Sequence, residues 1–352
     1  MAFSLLNADK DHSWQPIIGF LGIEPLLPAY AEYCAASSVP YEYFAATAGK
    51  PWKTWQRIAR WLECCNPDAI ILHIPTALLP CLFHVYRRGA MLVVVEHTPN
   101  ALKTRSEWLF SLLAMRLVKR VVLLTPAYQQ EIKRQLGFFY CSRKVRVIPN
   151  GIDTMRFVPQ RCSQGDRRSV QLGMAARFTS TKRQEILVLM MSELYKLDPG
   201  INWQLSLAGG GENLELVRDI VLGQGLEHCV RLSGQLDETE LINWYRSLDV
   251  YLHASDGETL STSLLQAMSM ALPIVASGVP GIQNLLLGES ICGVLVEDQS
   301  PGGFAKAVYE IFKNPTNATA LGLSARRLAV SSYSQSEMFR DYAEIIINRS
   351  GT

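Results

Sequence analysis

Asp256-Gly-Glu-Thr-Leu-Ser-Thr-Ser-Leu-Leu-Gln-Ala-Met268 decides how this chain is read. The stretch begins as a polar loop, Asp256 to Ser263, and continues to Met270 with the apolar spacing of an amphipathic helix. Ser261 or Thr262 is the expected N-cap, because a hydroxyl there accepts from an amide that the first helical turn leaves unpaired. A helix start behind a small-residue loop is an anion site, since unpaired amides and the positive end of the dipole face one point. Glu258 falls just outside that point, and Gln266 one to two turns inside the helix. A ligand with a diphosphate at the helix start would meet a carboxylate on one side and an amide on the other. Glu258 would be repelled by phosphate, so it is expected to face hydroxyls, from which it accepts two hydrogen bonds. The plain alternative is a helix-start carboxylate favoured by the dipole.

Outward from this stretch, short apolar strands alternate with helices. Strands are expected at 16–21, 41–44, 69–73, 91–96, 120–124 and 145–149, then at 170–175, 203–208, 230–233, 250–253, 274–276 and 293–296. Helices are expected between them, among them 78–88, 106–118, 181–197 and 238–247, with a last one at 336–347. Apolar strands separated by helices build a parallel sheet covered on both faces. Loop residues collect at 150–159, which sets a first domain at 1–152 and a second at 153–333. The helix within 334–352 has no strand after it and is expected to pack back on the first domain. The fold class is therefore α/β, with two Rossmann-like parallel-sheet domains facing a central cleft. Ligands of open α/β sheets bind beyond the carboxyl ends of the strands.

Polar residues collect at those ends. Arg177-Phe-Thr-Ser-Thr-Lys182 follows a strand, and its guanidinium and ammonium can converge on one diphosphate and neutralise a leaving group. Alternatively they are two solvated surface cations. Gly209-Gly210-Gly211 permits close backbone approach, either by a nucleotide or within a tight strand-to-helix turn. His97 ends a strand after Glu96, as a sugar contact or as a structural histidine; His73 and His253 also end strands and rank below it. Lys103, Arg105 and the helix 106–120, apolar with basic ends, fit either a membrane surface or a core helix with snorkelling ends. No His, Asp or Glu cluster has metal spacing, and no metal is expected.

Composition narrows the class. With 48% hydrophobic and 19% charged residues the chain is compact, not disordered. No apolar run reaches the ~20 residues of a membrane span, and no signal peptide is read at the start. Residues 1–150 hold 17 Lys and Arg against 10 Asp and Glu, and the remainder 17 against 22. A basic first half suits an anionic partner such as a phospholipid surface or a lipid diphosphate, though ordinary surface scatter is the even alternative. Eight cysteines without a CxxC pair read as buried thiols of a reduced, cytoplasmic protein.

Together these residues resemble the large GT4 family of retaining glycosyltransferases, which has the GT-B fold. The resemblance is carried by Val147-Ile-Pro-Asn-Gly-Ile-Asp153, Ala176-Arg-Phe-Thr-Ser-Thr-Lys182, Leu207-Ala-Gly-Gly-Gly-Glu212, Glu258 with Gln266, Leu272-Pro-Ile-Val-Ala-Ser277 and Gly293-Val-Leu-Val-Glu-Asp298. It implies a UDP- or GDP-sugar donor, a glycan or lipid-linked acceptor, peripheral membrane contact, and no metal or nucleic acid. Arg177 and Lys182 would bind the diphosphate, and the amides of Leu260, Ser261, Thr262 and Ser263 would cradle the distal phosphate. Glu258 would hold sugar hydroxyls and Gln266 the ribose, with Gly209 and Gly210 lining the donor and Gly234-Gln235 facing the base. His97 would sit by the sugar, with Lys103, Arg105 and Asn150 on the acceptor side.

The chain departs from the family in three places. Gln266 stands for the second acid of a paired-acid motif; the loop reads DGETLS instead of a glycine-rich DGEGFG; and the first strand with its Gly-Gly loop is not visible before Trp14. Two alternatives are a nucleotide-sugar-binding protein with lost catalysis and a sugar-phosphate enzyme, such as an epimerase, of the same architecture.

Overall fold

A computed structural model describes residues 2–23, 25–46, 51–98, 100, 103–159, 169–288 and 290–347. The chain divides into two compact units, Met1–Pro149 with Met338–Thr352, and Asn150–Glu337.

In the first unit, β1 (Ile18–Gly22) and β2 (Tyr41–Ala45) form a parallel pair. A separate four-stranded parallel sheet runs β3 (Ala69–Leu72), β4 (Met91–Glu96), β5 (Arg120–Leu123) and β6 (Val145–Val147) in that order. The expected single sheet is thus split: the register of β1 is taken up by β2, from Ile18 opposite Tyr41 to Gly22 opposite Ala45. One core still serves both, since Phe44 of β2 clusters with Leu72, Leu92 and Leu123. The helices are α1 (Ala2–Ala8), α2 (Pro28–Ala36), α3 (Pro51–Cys65), α4 (Leu78–Arg88), α5 (Arg105–Leu117) and α6 (Pro126–Leu136). Every residue of β4 is buried, which its run Met-Leu-Val-Val-Val demands. Phe339, on the last helix, packs its ring 4.6 Å from that of Trp14.

The second unit is one six-stranded parallel sheet. Its strands are β7 (Ser169–Ala175), β8 (Asn202–Ala208), β9 (Val230–Gly234), β10 (Val250–His253), β11 (Ile274–Ser277) and β12 (Val294–Val296). Their spatial order is β9-β8-β7-β10-β11-β12. The chain winds outward from β7 to β9, returns to lay β10 beside β7, and winds outward the other way. Loops leaving the carboxyl ends of β7 and β10 therefore part, and that switch point is where such sheets bind ligands. Helices α7 (Gln184–Leu197), α8 (Leu214–Gly223), α9 (Glu238–Arg246), α10 (Thr262–Ser269), α11 (Pro280–Leu287), α12 (Pro301–Lys313) and α13 (Pro315–Ser332) cover the sheet, and α14 (Gln335–Ile347) follows. Trp203, Phe178 and Phe304 are fully buried within the unit's core.

Helix α7 starts three residues after the expected Thr181. Lys182 is instead bridged to Ser255, the Asp256 amide donates to the Thr181 carbonyl, and the Arg183 amide donates to Ala254. That extended pairing takes the backbone groups a helix would have used. The cysteines are mixed: Cys34, Cys81, Cys229 and Cys292 are buried, but Cys64 is exposed, so the reading of uniformly buried thiols does not hold for it. No helix among the described residues is long and apolar enough to cross a membrane.

Candidate functional site

The loops after β7 and β10 are stitched together at the switch point. Besides the Lys182–Ser255 bridge, the Ser255 hydroxyl donates to the Thr181 carbonyl (3.1 Å), and its amide donates to Ser277 Oγ (3.0 Å). Arg183 closes the rim through Nη1, which donates to both carboxylate oxygens of Asp256, at 2.9 and 3.1 Å. This fixes Lys182 against Glu258. Lys182 Nζ forms an ion pair with Glu258 Oε2, and both side chains are largely buried. His253, the last residue of β10, is fully buried, with Nε2 3.2 Å from the same Glu258 oxygen and 3.4 Å from Lys182 Nζ. Burial pushes the His253 pKa down, so its ring is neutral. A neutral ring has one N–H, and the carboxylate draws it to Nε2. Burial alone would raise the Glu258 carboxyl; the His253 hydrogen bond and the Lys182 charge outweigh it and hold the carboxyl down at about 2.

The helix tip lies on the same network. Ser261 caps α10, accepting from the Leu264 amide at 3.5 Å. The amides of Thr262 and Ser263 belong to the first turn, which has no intrahelical acceptor for them. Ser263 Oγ lies 3.1 Å from Ser261 Oγ and 3.1 Å from the Tyr251 hydroxyl, which stands 3.4 Å from His253 Nδ1. The Tyr245 hydroxyl donates to the Ser263 carbonyl at 2.9 Å and lies 3.2 Å from Gln266 Oε1, an amide atom that exchanges places with the nitrogen when the side-chain amide is turned over. One hydroxyl proton serves one acceptor, so the longer contact is better made by the Gln266 amide donating to Tyr245. The Gln266 carbonyl then faces away from Tyr245 as an acceptor. Leu260 is buried, beside the tip.

Arg177 is exposed and makes no ion pair with a described residue. The expected convergence of two free cations is therefore modified: Arg177 stands open, while Lys182 is engaged by Glu258. The glycines explain how the Arg177 loop is held. Gly209 and Gly211 have φ of +134° and +150°, and a Cβ on either would overlap the carbonyl oxygen of Ala176 or Phe178. The Phe178 amide donates to the Gly210 carbonyl at 3.0 Å. The close approach at 209 and 211 is thus made by the protein's own backbone. Gln235 is exposed, with Nε2 3.1 Å from where a Cβ on Gly210 would stand, and Gly234 has φ of +70°.

In the first unit His97 is not alone. Its Nε2 lies 2.9 Å from Nδ1 of His73, which directly follows β3. Burial drives both rings down, His73 to about 3 with help from His97, and His97 to about 4. Lys103, expected on an acceptor or membrane face, is corrected: its side chain is 1% exposed. Its Nζ pairs with Glu96 at 2.7 Å, donates to Ser111 Oγ at 3.0 Å and lies over the ring of Trp108. A cation so enclosed is structural. Arg105 is exposed on the first turn of α5, which Thr104 and Glu107 close as a capping box. Asn150 opens the second unit, with a buried side-chain oxygen that has no partner among the described residues.

Sequence reasoning missed Tyr251 and Arg183 and ranked His253 too low. A histidine ending the strand that feeds the acidic loop, five residues before its carboxylate, was the available signal.

Two family descriptions match the chain: Glycosyltransferase Family 4 over residues 24–156 and Glycosyl transferases group 1 over residues 169–314. A D-inositol 3-phosphate glycosyltransferase of Kineococcus radiotolerans is 28% identical over 233 residues, covering 60% of this chain and 53% of that protein. The chain spans about half the length of the first curated relatives it matches. Among solved structures, Anabaena HepE in complex with UDP and glucose aligns with a TM-score of 0.79 over 98% of this chain and 95% of that one, at 17% identity. A Rickettsia africae glycosyltransferase aligns at 0.77 over 99% and 95%, at 16% identity. Likeness at such identities speaks to the fold.

Proposed function

Since the chain belongs to the GT4-type glycosyltransferases and has the GT-B fold, we propose that it transfers a hexose-type sugar from a uridine diphosphate donor to a hydroxyl of a glycan or lipid-linked acceptor. The observation that carries this reading is the Lys182–Glu258–His253 cluster beside the capped start of α10. UDP is preferred over GDP because the HepE complexes contain UDP and UDP-glucose.

The diphosphate lies over the Thr262 and Ser263 amides, with Arg177 and Lys182 supplying the positive charge that a divalent ion gives elsewhere. No metal is required in this scheme. Glu258, ionised at any working pH, accepts from sugar hydroxyls, and the Gln266 carbonyl accepts from the ribose. The bond from the anomeric carbon to the phosphate oxygen breaks as the acceptor oxygen bonds on the same face. The acceptor's proton passes to the departing phosphate, and configuration is retained. The sugar-facing role of His97 rests on the family resemblance. The basic surplus of the first unit suits an acceptor presented at an anionic bilayer.

Arg177→Ala and Lys182→Ala should each lower turnover by ~10²-fold or more, measured as UDP release from a panel of UDP-hexoses. Normal kinetics in both variants would overturn the site. Gln266 in place of an acid favours a second reading, a donor-binding protein without catalysis. Tight UDP binding with no UDP release from any donor would support it.

A further inference from the structure

Glu258 Oε2 has two partners of different kinds. His253 is fully buried and backed by the Tyr251 hydroxyl, whose contact with Ser263 leads to the cap of α10. It cannot leave the carboxylate without disrupting the end of β10. Lys182 is a charge on a flexible stem, with 17% of its side chain exposed, and it can swing away. We propose that Lys182 masks Glu258 in the unliganded protein, that an incoming diphosphate draws Lys182 off, and that His253 then holds the bared carboxylate for the sugar. His253 is thus a positioning residue, and Lys182 is shared between two anions in turn. This rests on the donor assignment above.

The argument is one of charge and reach. An ammonium at the bottom of the site can neutralise a carboxylate or a phosphate at close range, but not both fully. The diphosphate carries more charge and sits on the helix tip, so it wins Lys182. Breaking the ion pair opposes binding. A complete donor compensates, because its sugar hydroxyls satisfy the carboxylate again. The product UDP has no sugar and leaves Glu258 with His253 alone. The site therefore discriminates against its own product relative to the donor, and return of Lys182 to Glu258 assists UDP release.

Calorimetry on the full chain tests this with two ligands: UDP, and whichever of UDP-glucose, UDP-galactose and UDP-N-acetylglucosamine the wild type binds most tightly. Glu258→Gln should tighten UDP on the order of tenfold while leaving the UDP-sugar unchanged or weaker. The tightening must be confined to UDP: equal tightening of both ligands would show only a change of site charge and would overturn the proposal, as would unchanged UDP affinity. His253→Gln should keep UDP affinity near wild type while lowering kcat for donor cleavage more than it changes KM, with thermal unfolding confirming the fold. Loss of UDP binding in that variant would also overturn it. If His253→Gln does not fold, the Glu258→Gln comparison decides alone. Failure of the wild type to bind any UDP compound would instead sink the donor assignment.

Discussion

Burial of ionisable side chains gives this protein a titration behaviour that separate residues can be made to report. The His73–His97 pair is neutral in the fold, with burial holding the two rings near 3 and 4. In the unfolded chain each takes a proton near pH 6.5. Folded values that lie below unfolded ones mean stability that is intact above pH 6.5 and is lost as pH falls towards 4. Each such group costs about 1.4 kcal/mol per pH unit through that window. The unfolding temperature should therefore drop between pH 6.5 and 4, and His73→Gln should blunt the drop. An identical pH dependence in the variant would refute the pair's role. Lys103 makes a second residue-scale case. Lys103→Met leaves Glu96 buried and unpaired, and such a break costs ~3–5 kcal/mol, readable in urea unfolding. Neither feature was legible in the sequence. A lysine ahead of an amphipathic helix looks the same whether it faces water or folds back on a strand end. The spacing of 24 residues between His73 and His97 carries no sign of contact until β3 and β4 are known to be neighbours.

Elements, by contrast, were largely legible, because hydrophobic periodicity is what folds them. The helix Leu78–Arg88 and the strands Met91–Glu96 and Val250–His253 have the bounds their apolar runs imply. What failed were features set by partners: the start of α7, moved by its bridge to Ser255, and the split of the first sheet. The loop–helix unit at 256–268 was readable because cap, carboxylate and helix follow in one stretch. Its support was not. Helix α11 starts against it, and a Cβ on Gly281 would overlap the Glu258 carbonyl oxygen. Gly281→Ala must push the acidic loop, costing ~1–3 kcal/mol and displacing Glu258. It should lower kcat for donor cleavage along with the unfolding temperature. Gly302→Ala, where the nearest atom is the Ser300 hydroxyl at 4.0 Å, should change neither measurably. Unaltered turnover in the Gly281 variant would show that α11 does not brace the site.

At the scale of the whole chain, charge is the property that the sequence displays before any fold is known. Its surplus of basic residues concentrates between 103 and 146, where ten Lys and Arg meet two Asp and Glu. Apart from the enclosed Lys103, these residues share their segment with exposed apolar side chains. Phe138 is 97% exposed, and Phe139, Leu109 and Leu117 are more than half exposed. The turn that bears the two phenylalanines follows α6, and Lys144 ties the next turn to α5 by donating to the Arg116 carbonyl at 2.8 Å. Sequence reading left α5 open between a membrane surface and a core helix with snorkelling ends; Ser111, Ala114 and Met115 of that helix are buried, which favours the core helix and leaves only its outer edge for a surface. The Phe138-Phe139 pair passed unnoticed because it falls between the helix that ends near Gly137 and the strand that starts at Val145, where no apolar period marks it. Exposed aromatic side chains with Lys133, Arg134, Arg143 and Lys144 close by in sequence suit an anionic bilayer: the rings enter the interface and each nearby Lys or Arg adds ~1 kcal/mol. The full chain should therefore sediment with vesicles rich in anionic phospholipid, and be released by salt, since the attraction is screened within about 10 Å at 0.1 M. Phe138→Ser with Phe139→Ser should weaken that binding while leaving UDP affinity unchanged, because neither ring belongs to the second unit. Equal binding to zwitterionic vesicles, or undiminished binding by the double variant, would assign the basic surplus to ordinary solvation instead.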